Sequence, residues 1–348
     1  MIAPARPGLP LPALPPDQLE GLSELYRRGT PDNTLRAWER DLVYIAAWKQ
    51  AAFGAALDWP ESETVALRFV LDHSVDLTER GGPARLVAEE LIAAGLRRSL
   101  ACPAPATLDR RIASWRAFHR MQNLPSPFEA PLLRQARGRS RRAAARPRQA
   151  KSGNPITRDI LKAMLASCDY SLRGRRDRAV LMLGWASGGR RRSEIAALNR
   201  DDVDDSDYAE RGLLRLRLLA TKTTAVGDAP RLPLKGRAAR AVMGWIALAD
   251  IRTGPLFRAV SRADRPLPRR LSAEGIRDIV ACRLELAGYP RDFASPHGLR
   301  SGFLTQAALD GAPLAAAMQL SLHRSVNQAQ RYYADVEIAD NPAADLLG

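Results

Sequence analysis

Residues 321–333 read Ser321-Leu322-His323-Arg324-Ser325-Val326-Asn327-Gln328-Ala329-Gln330-Arg331-Tyr332-Tyr333, a histidine followed nine positions later by the first of two adjacent tyrosines. The stretch from Ser325 to Ala334 has helical character, and neighbouring helical positions point about 100° apart, so only one of the two phenols can face a given centre. Taken alone, the tyrosines fit core packing with their hydroxyls at the surface. Working outward, His297-Gly298-Leu299-Arg300 lies on a helix opened by Ser295-Pro296. Positions i and i+3 of a helix share a face about 5–6 Å apart, so imidazole and guanidinium can reach one anionic group. Further upstream, Gly188-Gly189-Arg190-Arg191-Arg192-Ser193-Glu194 sets three arginines after glycines beside a helix start, a good seat for a phosphate oxygen. Lys222 sits at the edge of a hairpin within Ala220-Thr221-Lys222-Thr223-Thr224. Each of these, by itself, has an ordinary explanation: surface charge, a solvated lysine or a chance His-x-x-Arg.

Charge narrows the partner. The chain of 348 residues carries a formal net charge of +15, which points to a polyanion, with nucleic acid ahead of an acidic membrane because no basic amphipathic anchor stands out. Residues 1–130 hold 15 Lys+Arg against 16 Asp+Glu, and residues 131–348 hold 38 against 22. Half of the excess falls in residues 131–151, which contain eight basic residues and no acid. With Pro131 and Pro147 and the small residues between them, that segment is expected as a basic strap without a core of its own, joining two domains.

Several classes are excluded as expectations. Cys102, Cys168 and Cys282 stand far apart with no C-x-x-C pair, which argues against a zinc site or a disulfide framework and fits a reducing compartment. The acidic run Asp201-Asp202-Val203-Asp204-Asp205 lacks the distributed partners of a two-metal site, so no metal and no cofactor are expected. The opening is too proline-rich for a signal-peptide core, and the apolar run around Ala179–Ala186 is far short of a membrane span. A soluble cytoplasmic, bacterial-type and nucleoid-associated protein with no membrane partner is expected.

Hydrophobic periodicity then predicts a mainly α protein. Residues 1–16 form a disordered leader. Residues 17–133 form a helical bundle: Pro31–Ala52 with Leu35, Trp38, Leu42 and Ile45 in phase, Pro60–Asp72, Arg85–Leu96, and Thr107–Met121 with Leu108, Ile112 and Trp115 on one face. Around the last of these helices Arg110, Arg111, Arg116 and Arg120 remain for solvent or phosphate. Residues 134–154 are the basic linker, residues 155–340 a second domain, and residues 341–348 a tail. The second domain has a buried helix at Asp177–Trp185 and a hairpin from Leu213–Leu219 and Arg231–Leu234. Further helices follow at Ser272–Leu286, into Leu309, at Pro313–Leu320 and at Ser325–Ala334.

In chain order the four patches read Arg, Lys, His-x-x-Arg, His, Tyr, and that series resembles the tyrosine recombinase (phage integrase) family. The family's R-x-S-E register selects Arg191, because Ser193-Glu194 fix it. Lys222 matches the sheet lysine, His297 and Arg300 the H-x-x-R pair, His323 the next histidine, and Tyr332 the nucleophile. The resemblance runs from about residue 20 to 340, including Asn33-Thr34-Leu35-Arg36-Ala37-Trp38 and Leu172-Arg173-Gly174-Arg175-Arg176-Asp177-Arg178-Ala179. Departures are Leu322, where a glycine usually precedes the histidine, and Gly298 and Ser301-Gly302 around the H-x-x-R pair.

The resemblance implies an N-terminal SAM-like core-binding bundle and a C-terminal mixed α/β catalytic domain with a small antiparallel sheet, closing on duplex DNA as a C-shaped clamp. It implies strand cleavage through a 3′-phosphotyrosine at Tyr332. Arg191 and Arg300 clamp phosphate oxygens, Lys222 is the general acid, His297 a proton acceptor or support, and His323 a donor to phosphate. Arg110, Arg111, Arg116, Arg137, Arg139, Arg141, Arg142, Arg146 and Arg148 are the expected DNA-backbone contacts. A homo-tetramer on paired DNA sites and an accessory directionality factor are the further partners implied. Two alternatives keep the fold: a type IB topoisomerase-like relaxer and a catalytically silent DNA-binding regulator.

Overall fold

In the computed structural model of the protein, residues 14–144, 154–218 and 230–337 are described, and the chain divides into two compact units, Met1–Pro147 and Arg148–Gly348. The expected leader, the end of the strap with Arg146 and Arg148, the hairpin tip with Lys222, and the C-terminal tail lie wholly or largely outside the described residues.

The first unit is all helical: α1 (Pro16–Gly29), α2 (Asp32–Phe53), α3 (Glu63–Asp72), α4 (Pro83–Ala93), α5 (Pro105–Met121) and α6 (Pro131–Ala143). Local chemistry sets the ends. Gly54, at φ 65°, closes α2 by donating its N–H to the Gln50 carbonyl, and Ser62 Oγ caps α3 by accepting from Val65 N–H. The in-phase apolar positions become the core, where Ile45, Trp48, Phe69, Ile112, Trp115 and Phe118 are all fully buried. Trp48 meets Phe69 edge to face at 4.8 Å between centroids, and burial of each such ring contributes about 2–3 kcal/mol. Several polar groups inside this core are paired. Asp41 accepts from Arg110 and from Ser114, and Lys49 pairs with Glu61 at 2.8 Å, both members buried. His73 is held between the Tyr44 hydroxyl and the Phe69 carbonyl, each at 2.7 Å, and burial pushes its pKa down to about 3.

One expectation is corrected in this unit. Residues 134–143 are not a coreless strap but most of α6, with Leu133 and Ser140 buried and Ser74 Oγ bonded to Ser140 Oγ at 2.6 Å. Pro131 starts this helix instead of breaking it, because a first-turn residue needs no N–H partner, and Leu133, Ala136, Arg137 and Ser140 recur on one face. The arginines reserved for phosphate are also largely engaged within the unit. Arg110 binds Asp41 and Arg116 binds Glu129. Arg111 stacks 3.3 Å over the Tyr44 ring, and Arg137 and Arg141 share Asp109. Arg139 and Arg142 are exposed.

The second unit runs α7 (Arg158–Ala166), α8 (Leu172–Ala186), α9 (Arg192–Ala197), β1 (Val203–Asp204), α10 (Tyr208–Arg211), β2 (Leu213–Arg217) and β3 (Arg231–Lys235). It continues through α11 (Gly236–Leu248), β4 (Arg258–Val260), β5 (Pro266–Arg270), α12 (Ala273–Leu286), α13 (His297–Leu309), α14 (Leu314–Ser321) and α15 (Val326–Glu337). The hairpin of β2 and β3 is antiparallel in the register Leu214↔Leu234 and Leu216↔Leu232, and β1 adds a third strand on the other edge of β2. Alternation puts those four leucines on one buried face, packed with Val242 and Trp245 of α11 and with Ala179, Val180 and Leu183 of α8. Asp177 accepts from Arg176 and Arg283 inside the unit, tying α8 to α12. The acidic run is paired as well, Asp202 with Arg217, Asp204 with Arg215 and Asp205 with Arg200.

Candidate active site

The site is assembled where four segments of the second unit meet: the α8–α9 turn, the first turns of α13, the end of α14 and the middle of α15. After α8 the chain turns through Gly188 and Gly189, at φ 95° and 73°. Both positions need glycine twice over. A Cβ on Gly189 would lie 2.2 Å from Arg300 Cα, and one on Gly188 would lie 2.2 Å from the Leu320 carbonyl oxygen. The glycines therefore let the first arginine motif pass in contact with α13 and α14. Gly302 does the same on the far side of α13, where a Cβ would fall 1.9 Å from the Ile156 carbonyl oxygen.

Arg191 stands just ahead of α9. Glu194, itself buried, accepts from Arg191 N–H at 3.0 Å through one carboxylate oxygen and from Arg191 Nη1 at 2.5 Å through the other. This two-point hold fixes a half-exposed guanidinium. Arg190, 1% exposed, lies 3.7 Å from the same Glu194 carboxylate through Nη1 and donates through Nη2 to the Leu320 carbonyl at 2.7 Å. Arg300, one helical turn after His297, is 2% exposed and donates through Nη1 to the Gly189 carbonyl at 3.1 Å. Burial, then the neighbouring Arg190 and Arg191, push its pKa down to about 10, so it stays cationic at neutral pH.

The histidines and tyrosines complete the cluster. His297 Nε2 lies 3.3 Å from the Tyr332 hydroxyl. His323 lies against Arg300, whose Nε is 3.2 Å from Nε2 and whose Nη2 is 3.2 Å from Nδ1 of the ring. The His323 and Tyr332 rings are 6.2 Å apart between centroids. Burial, followed by Arg300, Arg191, His297 and Arg190, lowers the His323 pKa to about 4, so the ring is neutral at pH 7. Tyr333 faces elsewhere: it is 4% exposed, packs with Leu304 and Ala317, and donates its hydroxyl to the Ala312 carbonyl.

Five of the six expected catalytic residues, Arg191, His297, Arg300, His323 and Tyr332, thus come together, and Lys222 lies outside the described residues. Sequence spacing did not single out three supporting residues. In the sequence Glu194 only sets the register of Arg191, and neither Arg190 nor Ser321 carries a motif signal. A phenol beside an imidazole, facing fixed guanidinium groups, is an arrangement that can supply a nucleophile, a proton acceptor and an oxyanion cradle. Among the described residues no group of three or more His, Cys, Asp or Glu could hold a metal ion, and no helix is long and apolar enough to cross a membrane.

Comparison with known proteins agrees with this geometry. The chain is 26% identical over 310 residues to an integrase/recombinase XerD homolog of Selenomonas ruminantium, covering 86% of this chain and 81% of that one. It is 30% identical over 235 residues to the tyrosine recombinase XerC of Pelotomaculum thermopropionicum, covering 66% and 70%. Among solved structures, the Tn1549 transposon integrase in complex with transposon right end DNA has the same fold, with TM-score 0.56 at 15% identity over 93% of this chain and 98% of that one. A lambda integrase dimer bound to a COC′ core site superposes with TM-score 0.54 at 14% identity over 91% and 93%. The family model for the phage integrase family matches residues 154–337, the segment that carries every site residue above, and the chain belongs to that family of tyrosine recombinases.

Proposed function

We propose that the protein is a site-specific DNA recombinase that cuts and rejoins duplex DNA through a covalent 3′-phosphotyrosine at Tyr332, with neither metal nor ATP. The observation that carries this is the gathering of two contacts in one place, the Tyr332 hydroxyl 3.3 Å from His297 Nε2 and Arg300 Nε 3.2 Å from His323 Nε2, with the His323 and Tyr332 rings 6.2 Å apart and Arg191 bearing on His323 and Arg300. The Tyr332 oxygen attacks the scissile phosphorus while its proton passes to His297 Nε2. Charge gathers on the non-bridging oxygens, where Arg191 and Arg300 stabilise it better than they stabilise the ground state. His323 donates to the same phosphate.

The P–O5′ bond breaks as the P–O(Tyr) bond forms. Lys222 protonates the departing 5′ oxygen, leaving a 3′-phosphotyrosine and a 5′-hydroxyl. A 5′-hydroxyl from a second duplex reverses the step. One phosphodiester replaces another, so no external energy source enters. Duplex DNA is the partner, and the lambda integrase bound to a core site and the Tn1549 integrase in complex with transposon DNA, both similar in fold, support that choice. A tetramer on two paired sites, with an accessory factor setting direction, completes the proposal for integration, excision or resolution of mobile DNA.

The test is to incubate the protein in EDTA with DNA flanking its own gene and to trap it with SDS. A protein covalently joined to a 3′ DNA end is expected. Site-specific footprinting without any adduct would leave a DNA-binding regulator of the same fold as the better account, and relaxation of supercoils without exchange between two sites would favour a topoisomerase-like relaxer.

A further inference from the structure

Arg190 carries a charge into the interior beside the site. Its side chain is fully buried, yet the fold gives the guanidinium few partners. Nη2 donates to the Leu320 carbonyl at 2.7 Å and lies 3.4 Å from the Gly188 carbonyl, and Nη1 is 3.7 Å from a Glu194 oxygen. Among the described residues no hydrogen-bond partner meets Nε or Nη1. An apolar side chain of similar size would fill this place without an under-bonded charge, an exchange that is often neutral or stabilising. Cohesion alone therefore does not account for a guanidinium here. Burial, opposed by Glu194 and joined by Arg191, lowers its pKa to about 10, so Arg190 stays cationic at neutral pH.

Its surroundings decide what that charge can do. Glu194 holds Arg191 through the Arg191 N–H at 3.0 Å and Nη1 at 2.5 Å, and Arg190 shares the same carboxylate. Arg191 and Glu194 alone cancel, whereas two guanidinium groups against one carboxylate leave a net positive charge. The field of a neutral pair fades quickly with distance, and that of a net charge does not. Neighbouring groups feel Arg190: it helps to lower the pKa of Arg300 and that of His323. The bond to the Leu320 carbonyl keeps it in place, with Gly188 abutting the same carbonyl. Beyond Leu320 the chain turns through Leu322 at φ 55°, with Ser321 Oγ 2.8 Å from Nδ1 of His323, so the anchor lies on the turn that carries this histidine.

We propose that Arg190 is a positioning residue for cleavage: a buried cation, fixed on the Leu320 carbonyl, that offsets Glu194 and so leaves the charge of Arg191 available to the scissile phosphate. It touches no DNA and acts through Arg191, which makes this role dependent on the phosphate-binding role proposed for Arg191 above. The effect grows with the negative charge that gathers on the non-bridging oxygens. It therefore falls on the chemical step more than on DNA affinity, which is spread over many cations.

The experiment measures single-turnover cleavage of a nicked suicide substrate by the full chain, with DNA affinity by gel shift and stability by urea unfolding. Arg190→Met and Arg190→Gln remove the charge, and Arg190→Lys keeps it. Both neutral variants are expected to cleave about tenfold more slowly, a smaller loss than that for removing a donor in direct contact. Their DNA affinity and urea midpoints should stay near the wild type, and Arg190→Lys should recover most of the rate. Wild-type cleavage by either neutral variant overturns the proposal, as does an Arg190→Lys that is as slow as both. Failure of both neutral variants to fold also overturns it, since the guanidinium would then be structural. Arg191→Ala separates this from the reading beneath it. Full cleavage by Arg191→Ala would remove the phosphate-binding role of Arg191, whereas an inert Arg191→Ala beside a fully active Arg190→Met removes the Arg190 role alone.

Discussion

The Tyr332 hydroxyl stands 3.3 Å from His297 Nε2, although 35 residues separate them in the chain and they lie on different helices, α15 and α13. A hydroxyl that must lose its proton as it attacks, next to an imidazole that can take it, is the arrangement general-base catalysis requires. His297→Ala should therefore slow single-turnover cleavage by about 10²-fold or more, within the usual range for removing a general base. DNA binding measured by gel shift should be little changed. A parallel loss of binding and cleavage would point to a structural role for the ring.

Arg300 is buried, bonded to the Gly189 carbonyl and flanked by His323, so its planar fork is held in place from two sides. A lysine has no such fork and cannot make both contacts at once. Arg300→Lys is expected to lose about 10²-fold in cleavage rate despite keeping the charge, as for removal of one oxyanion-hole donor. Near-normal cleavage by Arg300→Lys would show that charge alone suffices and that the geometry described here is not used.

Leu322 sits in the left-handed conformation at φ 55°, the helix-ending position that glycine fills most easily, and its side chain packs against the large core of the second unit. Strain and packing act in opposite directions there. Leu322→Ala gives up packing but keeps the strain, whereas Leu322→Gly gives up both. The glycine variant should be the more stable of the two by about 1 kcal/mol, the reverse of the order inside a helix. Urea midpoints of the two variants decide it, and an alanine variant equal to or above glycine contradicts the account.

Much of this was legible before any coordinates, because period and spacing survive folding. The phases of Leu42, Ile45, Ile112 and Trp115 predict buried helix faces, and the leucine–arginine alternation from Leu213 predicts β2 with its partner β3. What escaped had weak local signals. α11 opens with Gly236-Arg237-Ala238-Ala239-Arg240, a stretch with little large apolar side chain, and β5 carries Pro266 and Pro268, which mask a short edge strand. β1 lies inside the acidic run and owes its pairing to β2. The arginines of α5 and α6 look free in sequence because their acidic partners, Asp41, Asp109 and Glu129, come from elsewhere in the fold or sit beyond the helix end. Likewise, Glu194, Arg190 and Ser321 acquire meaning only when the glycine turn brings α9 against α13 and α14.

The first unit should be sensitive to acid. His73 is buried with its pKa lowered to about 3, by burial above all, against 6.5 for the exposed group, and His119 is shifted in the same direction, also by burial. Between those values the unfolded chain binds more protons than the folded one, so stability is full above about pH 6.5 and falls as pH drops toward 3. Urea unfolding followed by tryptophan fluorescence should show the midpoint falling from pH 7 to pH 4.5, and the fall should be shallower in His73→Gln. A slope unaltered by His73→Gln would mean that this histidine is not what acid titrates.

The most direct test compares Tyr332→Phe with Tyr333→Phe on a nicked suicide substrate from which the cleaved strand diffuses away. Tyr332 faces His297 at the cationic cluster, while Tyr333 is buried with its hydroxyl on the Ala312 carbonyl. Tyr332→Phe is predicted to form no covalent DNA adduct, and Tyr333→Phe to form it at near wild-type yield once its lower stability is allowed for. An adduct that persists in Tyr332→Phe and vanishes in a folded Tyr333→Phe would contradict the account at its centre.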